Sequence, residues 1–543
     1  MTESDSVPQH VARWLLPRSE RDNPATSIDE GHPSEQAWSS GNVVTPIVDG
    51  ADYFAQLKEV IDATGEGDLV LYAGWRADAD EQLTDDPGST LLDVLDAAED
   101  REVLVRALVW RSHAEAMDFS AEANRETAEG LSEVDDEHAE FLLDMRVRHT
   151  GAHHQKFVVV RHRDDSSRDI AFVGGIDVAH SRRDTSEHHG DPQQQGLSDE
   201  YGPRPGWHDV QCSIVGPAVA DVERVFRERW DDPSPLEPSL LHRVVNRVRG
   251  TVPMAAEPLP AAWPAPPPVD GGRHVVQLLR TYPRLRRTRS YPFAPFGERS
   301  IARGLARALG QARGLVYIED QYLWSRSIMA AFAKVLRENP ELRMIAVLPH
   351  HTDVTGFGRR LQQEGRAEAL RDLEEAAPGR FAAYGIENHA GWPVYVHAKV
   401  KIIDDWYATI GSDNLNRRSW THDSELAALV IDGEGVDHSP FARGLRLRLA
   451  AEHLDRPLSG PSHEEALADC VSPEGMFEAY ASSAAALQAW HDGGRVGPRP
   501  AGRLRPLEVV SLGRVLERVL EVPQRIVGDP DGRPRTMRMR RLF

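Results

Sequence analysis

Short apolar runs alternate with amphipathic stretches along most of the chain, a pattern that predicts strands interleaved with helices. Asp68–Gly74 is a compact run of mainly apolar residues, which predicts a buried strand. In Tyr53–Ala63, Val219–Arg229 and Arg299–Ala312 the apolar residues recur at helical spacing, so each segment is a predicted helix. We therefore expect an α/β fold of mostly parallel sheets covered by helices on both faces.

Two stretches depart from this alternation and divide the chain. The first 45 residues are polar and irregular, and we expect a poorly ordered N-terminal arm. Residues 251–273 contain seven prolines and end in Gly271-Gly272, which predicts a stiff, extended linker. The predicted organisation is an arm at 1–45, a first half at 46–250, the linker at 251–273, a second half at 274–500 and a C-terminal extension at 501–543.

The two halves look like two copies of one unit. Four similar blocks recur in one order, about 240 residues apart. This agreement predicts two homologous α/β sandwich halves that form a pseudo-dimer, within a chain that we expect to be monomeric. The matched blocks are Leu69–Trp75 with Leu315–Leu323, Val103–Val109 with Leu342–Leu348, His154–Val160 with His397–Ile403, and Phe172–Asp177 with Thr409–Asn414.

Charge and composition limit the kinds of molecule that the chain is expected to bind and the classes of protein to which it could belong. The chain has 63 basic and 85 acidic residues, a formal net charge of −22, which disfavours nucleic acid because clustered Lys and Arg hold phosphate backbones. No apolar run is long enough to span a membrane, and the start has no signal-peptide pattern. Two cysteines, Cys212 and Cys470, exclude a disulfide scaffold and a cysteine-rich zinc site. We expect a cytoplasmic protein that could associate peripherally with a membrane.

Two His-x-Lys blocks, at His154 and Lys156 and at His397 and Lys399, carry the candidate chemistry. With 23 histidines and five lysines in the chain, chance predicts roughly 0.2 such pairs. Two occur, at equivalent places in the repeat. Both blocks run into β-branched residues, which predicts strands, and residues i and i+2 of a strand face the same side. Each half would then present an imidazole beside an ammonium group.

Two imidazoles with two ammonium groups suit a phosphodiester. One neutral His can attack phosphorus, and a second, protonated His can give its proton to the leaving alcohol and then activate the incoming one. The lysines would hold the non-bridging oxygens. This chemistry needs no metal and no cofactor. The pairs His153-His154, His188-His189 and His350-His351 match no standard metal-ligand spacing, so we expect no metal site.

The paired motif resembles the signature of the phospholipase D superfamily, which is His-x-Lys followed by four residues and Asp, present twice. The second copy fits in full, with His397, Lys399 and Asp404. The likeness spans roughly residues 65–430, and in its details the chain resembles eukaryotic-type phospholipases D. It is carried further by Gly174-Gly175-x-Asp177, Arg183-Asp184-Thr185, Trp207-His208-Asp209, Gly216-Pro217, Phe226-x-x-Arg229-Trp230, Tyr317-Ile318-Glu319-Asp320-Gln321-Tyr322, Gly411-Ser412-x-Asn414 and Asp423-Ser424-Glu425.

The resemblance implies roles for these residues. His154 would be the nucleophile and His397 the acid/base, while Asp184 and Glu425 match the acidic residues that orient the two imidazoles. Asp177 replaces the Asn found in bacterial members of the family, and an acidic group beside a phosphodiester needs a hydrogen bond or an ion pair, for example with Lys156. Asp320 stands where the family usually has Asn. The remaining implied site residues are Lys156, Lys399 and Asn414 in catalysis, Gly175, Asp177, Ser412 and Gln321 in substrate binding, and Asp404 as a structural residue.

Arg161 is the clearest departure, because it stands where the first motif should have Asp. It lies seven residues after His154, and an odd offset on an unbroken strand faces away from the catalytic side. We therefore expect Arg161 to have a structural role. Its candidate partners are Asp164, Asp165 and Asp169.

The sequence thus predicts a phospholipase D-type phosphodiesterase or phosphatidyltransferase that acts on glycerophospholipids at a membrane surface, through a phosphohistidine intermediate. One alternative is a phosphodiesterase on another substrate, such as a nuclease or a synthase of cardiolipin or phosphatidylserine. A second is a non-catalytic, lipid-binding scaffold of the same fold, which Arg161 alone supports. The headgroup, the acceptor and the mode of membrane recruitment stay open at this point.

Overall fold

A computed structural model describes residues 7–111, 124, 138–236, 256–285, 290–353, 356–457, 463–507 and 528–539. The strands are β1 Ser39–Val48, β2 Leu69–Gly74, β3 Leu104–Trp110, β4 Ala139–Asp144, β5 Phe157–Arg161, β6 Ile170–Gly174, β7 Gly206–His208, β8 Val210–Val215, β9 His274–Tyr282, β10 Glu298–Arg299, β11 Leu315–Glu319, β12 Arg343–Val347, β13 Phe381–Ile386, β14 Val394–Val396, β15 Val400–Ile403, β16 Tyr407–Gly411, β17 Glu425–Asp432 and β18 Leu504–Pro506. The helices are α1 Gln9–Ala12, α2 Arg18–Arg21, α3 Gly50–Asp62, α4 Leu91–Glu99, α5 Ala218–Trp230, α6 Ser300–Gln311, α7 Arg326–Glu338, α8 Gly356–Ala376, α9 Arg417–Thr421, α10 Pro440–His453, α11 His463–Ala466, α12 Pro473–Asp492 and α13 Arg535–Met539. The expected α/β class is confirmed.

The strand order repeats between the two halves. Sixteen of the described strands form one sheet in the order β18-β13-β12-β11-β15-β16-β17-β9-β1-β8-β6-β5-β2-β3-β4, with β10 paired to β9 beside this path. Counted inward, β4-β3-β2-β5-β6-β8-β1 of the first half matches β13-β12-β11-β15-β16-β17-β9 of the second. The two runs meet where β1 pairs with β9, so both copies of the unit contribute to one continuous sheet.

The pairing directions correct the expectation of mostly parallel sheets. Parallel pairs are confined to β2-β3-β4 and β11-β12-β13 within this sheet, and its other described pairs are antiparallel. A turn can join only antiparallel neighbours, which accounts for the β5–β6 and β15–β16 pairs, whose connections are short. Between β15 and β16, for example, Asp404 and Asp405 both have left-handed φ angles of 52° and 54°, as a tight hairpin turn requires.

Helices cover both faces of the sheet, as the alternation of elements predicts. In β2, Leu69 and Leu71 pack in the cluster that contains residues of α5, whereas Val70 and Tyr72 pack with residues of α3 and α4. Successive residues of a strand point to opposite faces, so this strand is buried on both. The four predicted segments named first are observed as α3, β2, α5 and α6, within three residues at each end.

The His-x-Lys segments lie before their strands and not within them. The strands predicted from His154 and His397 begin at Phe157 and Val400. The backbone N–H groups of both histidines donate to carbonyls of the opposite half, and not to neighbours in the sheet. The motifs therefore stand at the sheet edge where the halves meet.

The N-terminal residues correct the expectation of a poorly ordered arm. Trp14, Leu15 and Leu16 are buried in the core cluster of the second half. The side chain of Gln277 accepts from the N–H of Leu16 and donates to its carbonyl, at 2.8 Å in each case. Strand β1 already begins at Ser39 and pairs with both halves. Polar composition concealed this packing, because a few apolar residues carry it.

The described linker residues 256–273 form no helix or strand, and they lie along the first half. Trp230 donates from Nε1 to the carbonyl of Glu257 at 2.7 Å, and Arg227 donates to the carbonyl of Pro260 at 2.8 Å. At the other end of the chain, β18 pairs with β13. The segment expected as a C-terminal extension therefore supplies an edge strand to the second half.

Candidate active site

Two short parallel pairings join the halves at the His-x-Lys segments. Strand β7 of the first half pairs with β14 of the second, and His153 forms an equivalent bridge with Ser424. The N–H of His397 donates to the carbonyl of His208 at 2.7 Å, and the N–H of His154 donates to that of Ser424 at 2.9 Å. Each motif is thus anchored to the half that does not carry it.

His154 is held by a carboxylate from the second half. Its Nδ1 lies 2.9 Å from Oε2 of Glu425, the first residue of β17. Ser412 donates from its hydroxyl to the same oxygen at 2.5 Å, so the carboxylate is fixed on two sides. The His154 side chain keeps 16% of its surface exposed, and Nδ1 is engaged, which leaves Nε2 for a ligand.

His397 is held in the reciprocal way by Asp209 of the first half. The distance from Nδ1 to Oδ2 of Asp209 is 2.6 Å. Gly175 makes room for this carboxylate, because a Cβ at that position would lie 2.2 Å from Oδ1 of Asp209. Each half therefore provides one imidazole and the carboxylate that orients the other.

The expected orienting role of Asp184 is corrected by this arrangement. Its carboxylate accepts from the backbone N–H groups of Thr185, Gly190 and Trp207, at 2.9, 3.0 and 2.8 Å. Asp184 thus holds the loop that leads into β7. It follows the first motif by 30 residues in sequence, but the carboxylate that reaches His397 is that of Asp209, the residue after β7.

Both lysines of the motifs are buried beside their histidines. Lys156 donates from Nζ to the carbonyl of His154 at 2.9 Å and lies 3.4 Å from Oδ2 of Asp177. Lys399 donates to the carbonyl of His397. Burial lowers the pKa of both lysines, that of Lys399 to about 7, although Asp209 opposes the shift.

Burial and the neighbouring lysines hold the pKa of both histidines well below the ordinary value. The two carboxylates differ. Burial, and to a lesser extent Asp423, raises the pKa of Glu425 to about 8. Burial also acts to raise the pKa of Asp209, but His397 and then Lys399 outweigh it and lower that pKa to about 2. Of the two orienting carboxylates, Glu425 is therefore the one that titrates near neutral pH.

Electrostatic coupling between the motifs indicates a single site. The ammonium of Lys399 lowers the pKa of His154, and that of Lys156 lowers the pKa of Lys399. Asp209 and Glu425 both raise the pKa of Lys156. Such effects act over short distances, so the six groups share one region where the halves meet. The arrangement can bind an anion between two cations and offer it two imidazole nitrogens.

The residues expected to contact substrate have varied surroundings. Asp177 accepts from the N–H groups of Trp75 and Arg76 at 2.9 and 3.2 Å, so its charge is paired as expected. Gln321 donates to the hydroxyl oxygen of Tyr395 at 2.7 Å. Ser412 and Gly175 support the carboxylates described above. The side-chain oxygen of Asn414 is buried and has no hydrogen-bond partner among the described residues.

Asp404 follows β15, and Arg161 is the last residue of β5; the side chains of both residues contact parts of the scaffold. Asp404 accepts from the N–H groups of Arg313, Gly314 and Leu315 at 2.6, 2.8 and 2.9 Å, and thereby ties the β15–β16 turn to the start of β11. Arg161 is fully buried at the end of β5, with Nε 2.7 Å from Oδ2 of Asp169. Asp169 is one of its three expected partners. Asp320 accepts from three backbone N–H groups, which accounts for a carboxylate at that place.

Sequence reasoning missed three features of the site. The role of Asp209 was not assigned, although Trp207-His208-Asp209 belongs to the motifs that carry the resemblance. The Trp207 ring lies 4.9 Å from the ring of His397. The guanidinium of Arg182 stacks on the other partner of this contact, the Trp207 ring, at 4.3 Å. Trp75 lies 6.3 Å from the ring of His154. Each imidazole thus has a tryptophan beside it, and both tryptophans come from the first half.

Among the described residues, two kinds of feature are absent: a set of metal ligands around the two histidines, and a membrane-spanning helix. Neither His154 nor His397 belongs to a group of side chains with the geometry of metal ligands there. No helix in that part of the chain is both long and apolar enough to cross a bilayer.

The chain matches two related family models. The model described as Phospholipase D matches residues 64–265, and the model described as Cardiolipin synthase, PLD-like domain, matches residues 305–439. Each match contains one His-x-Lys motif; the first covers most of the first half and part of the linker, and the second lies within the second half. The resemblance drawn from the motifs is thereby confirmed.

Several known proteins with sequences similar to this chain are named phospholipase D. Phospholipase D alpha 2 of Oryza sativa subsp. japonica is 24% identical over 535 residues, which cover 75% of this chain and 64% of that protein. Phospholipase D1 of Schizosaccharomyces pombe is 27% identical over 389 residues, 56% of this chain and 27% of that protein. The crystal structure of phosphatidylserine synthase from Haemophilus influenzae aligns with a TM-score of 0.49 at 14% identity, covering 72% of this chain and 82% of that one. The chain thus spans less than two thirds of both relatives named phospholipase D.

Proposed function

The chain belongs to the phospholipase D superfamily, and on this basis we propose that it is a phosphodiesterase of the phospholipase D type. Its substrate is a glycerophospholipid, cleaved or exchanged at the distal phosphodiester through a phosphohistidine intermediate. The observation that carries the proposal is the reciprocal pairing of His154 with Glu425 and of His397 with Asp209, beside two buried lysines. A scaffold without catalysis has no need of two oriented imidazoles.

In the first step, Nε2 of His154 attacks phosphorus and the bond from phosphorus to the headgroup oxygen breaks. The leaving alkoxide takes the proton from Nε2 of a protonated His397. The phosphatidyl group is left on His154. Lys156 and Lys399 hold the non-bridging oxygens as charge develops on them.

The second step reverses the roles of the groups. Water or an alcohol gives a proton to Nε2 of His397 and attacks phosphorus, and the bond between nitrogen and phosphorus breaks. Water yields phosphatidic acid, and an alcohol yields a new phosphatidyl ester. His154 is regenerated and His397 again carries the proton that the next cycle needs.

The two carboxylates support different protonation states in this cycle. Asp209 stays ionised near neutral pH, so it stabilises the imidazolium form of His397 once an anionic substrate is bound. Attack by Nε2 of His154 requires the form in which Glu425 is ionised and accepts the Nδ1 proton. Since the pKa of Glu425 is about 8, this form is a minor one at pH 7.

A lipid substrate is favoured over nucleic acid by charge. The formal net charge of −22 opposes the approach of a polyanion. Eukaryotic-type sequence features, in particular Trp207-His208-Asp209 and the segment from Tyr317 to Tyr322, also support phospholipid among the possible diesters. The experiment below identifies the headgroup and the acceptor.

The test is incubation of the purified chain with vesicles of phosphatidylcholine and phosphatidylethanolamine, with and without ethanol. We expect phosphatidic acid in water and phosphatidylethanol when ethanol is present. His154→Ala is the inactive control. His189→Asn changes an exposed histidine 35 residues away in sequence and should behave as the wild type.

Other outcomes would replace the proposal. Vesicle binding without turnover would favour the scaffold. Cleavage of a nucleic-acid or nitrophenyl diester with no action on either lipid would favour a different phosphodiesterase.

A further inference from the structure

A second cluster of ligand-type side chains includes His208, the residue before Asp209. It consists of Asp49, His188, His208 and Glu452, and their candidate ligand atoms all lie within 4.8 Å of one another. Asp49 follows β1, His188 lies in the loop before β7, His208 ends β7, and Glu452 lies in the last turn of α10. Four separate segments, from both halves, thus converge on one point.

The cluster is largely buried. Asp49 is 2% exposed and both histidines are fully buried. The side chain of Glu452 is 10% exposed and faces a cavity of about 550 Å³, which Asp49 and Asp184 also line. Buried polar groups normally reach their full number of hydrogen bonds, so departures from this rule need a cause.

Some polar atoms of the cluster are buried without a hydrogen bond. Nδ1 of His208 lies 3.2 Å from Oδ1 of Asp49 and 3.1 Å from Oε1 of Glu452, yet neither contact has hydrogen-bond geometry. Oδ1 of Asp49 likewise has no hydrogen-bond partner among the described residues. Nε2 of His188 does form a hydrogen bond with Oε1 of Glu452, at 3.0 Å. The close contacts of the His208 nitrogen and the Asp49 oxygen therefore need a further explanation.

Glu319 prepares His208 for this arrangement. Its Oε2 lies 2.8 Å from Nε2 of His208, and its Oε1 accepts from the Tyr317 hydroxyl at 2.6 Å and contacts Nε2 of His453 at 2.7 Å. A carboxylate on Nε2 keeps the proton there and turns the lone pair of Nδ1 toward the cluster. This is the outer contact that fixes the tautomer of metal-binding histidines.

We propose that Asp49, His188, His208 and Glu452 form a structural site for a divalent transition-metal ion of the zinc class. Imidazole and carboxylate are ligands of such ions, and four protein ligands in a closed site are typical of structural zinc. Ligand atoms about 2.1 Å from a tetrahedral ion lie roughly 3.4 Å apart. Three of the contacts in the cluster, at 3.0, 3.1 and 3.2 Å, are close to this separation. With both imidazoles neutral, the two carboxylates carry two negative charges, which one divalent ion balances.

The site goes beyond the proposed activity and does not depend on it. A bound ion would join β1, the loop at His188 and β7 of the first half to α10 of the second. His208 is adjacent to Asp209, and its carbonyl accepts from the N–H of His397, so the ion would stiffen the place where the halves meet. The ion takes no part in the chemistry assigned to the imidazoles.

Metal content of the full chain tests the proposal. The protein is dialysed against a chelator, reloaded with Zn²⁺ or Co²⁺, desalted and analysed by elemental mass spectrometry. We expect one ion per chain and the visible absorption of four-coordinate Co²⁺. His188→Asn and Glu452→Gln should lower occupancy at least tenfold, and Asn is suited to position 188 because its φ is 52°.

Matched controls make the result decisive. His189→Asn alters the exposed neighbouring histidine and should keep full occupancy. His154→Ala should also keep it, since loss of the proposed catalysis leaves this site intact. Wild type that retains no ion after reloading would overturn the proposal, as would equal occupancy in His188→Asn, Glu452→Gln and wild type. Thermal unfolding of the metal-free proteins identifies a variant that has failed to fold, and the Co²⁺ spectrum of the wild type then decides.

Discussion

At the scale of single residues, the site depends on which carboxylate reaches which imidazole. Asp209→Asn removes the charge beside Nδ1 of His397 and should lower kcat by on the order of 10²-fold or more, with little change in KM. Asp184→Asn is the matched variant, because that carboxylate accepts only backbone N–H groups among its described hydrogen bonds. Its kcat per folded molecule should stay close to wild type. A larger loss of kcat in Asp184→Asn than in Asp209→Asn would restore the assignment made from sequence.

The two histidines should fail in different ways. His154→Ala should abolish both turnover and any phosphoenzyme, because the nucleophile is gone. His397→Asn should let a phosphoenzyme accumulate from a nitrophenyl diester, since a good leaving group needs no proton while hydrolysis still needs a base. Acid-quenched protein, digested and analysed by mass spectrometry, locates the phosphoryl group. Its presence on His397 of the wild type would exchange the two roles, and wild-type rates in either variant would end the mechanism.

The pH dependence of kcat/KM follows from two shifted groups. Attack requires ionised Glu425, with a pKa of about 8, so the rate rises as pH increases toward that value. Binding requires cationic Lys399, with a pKa of about 7, so the rate falls as pH increases beyond it. The product is a bell with its maximum between about 7 and 8.

One substitution on each limb separates the two groups. Lys399→Arg should flatten the alkaline limb, because arginine stays charged. Glu425→Gln should remove the acid limb together with most of the activity. Lys58→Arg, on the exposed side of α3, is the control and should leave the profile unchanged. An unaltered alkaline limb in folded Lys399→Arg would show that Lys399 does not titrate there.

At the scale of elements, Arg161 shows how a charge can be part of a core. Besides its pair with Asp169, it contacts Glu223 of α5, donates to the carbonyl of Pro264 at 2.7 Å and stacks on Trp263 at 5.7 Å. Strand β5, helix α5 and the linker therefore meet on one guanidinium. Sequence reasoning found the structural role and one partner, but Glu223 and the linker come from far along the chain.

Arg161→Ala should cost about 3–5 kcal/mol of unfolding free energy, because it leaves the buried carboxylate of Asp169 without its arginine and that of Glu223 with Arg227 alone. This exceeds the value of about 1 kcal/mol for a partly exposed pair. Arg163→Ala, an exposed arginine two residues away, should change stability by about 0.5 kcal/mol or less. Urea unfolding measures both. A loss below about 1 kcal/mol in Arg161→Ala would contradict the buried network.

At the scale of the whole molecule, neither half is complete. Each imidazole takes its carboxylate from the other half, and β1 pairs with β9 across the middle of the sheet. Residues 1–250 and 251–543 expressed apart should therefore be inactive and poorly folded. Co-expression should restore activity, measured as phosphatidic acid release and as co-purification of the two pieces. Activity of either piece alone would show that one motif suffices.

The sequence by itself determined the class of fold, the repeat and the chemical groups. Apolar periodicity is a local property, so it located α3, β2, α5 and α6. The His-x-Lys pairs are local too, and their residue types restrict the chemistry to a few possibilities. Strand direction was not predictable in the same way, because it depends on how the chain returns to the sheet.

Only the tertiary structure decided which distant groups meet. The carboxylate that contacts His397 is that of Asp209 and not that of Asp184. The N-terminal residues are buried against the second half. His188 lies in one cluster with His208 and Glu452. No spacing in the sequence encodes these contacts, since the residues involved are separated by whole elements. Their distances are set by the packing of two halves around one sheet, which buries each group beside partners that the local sequence does not contain.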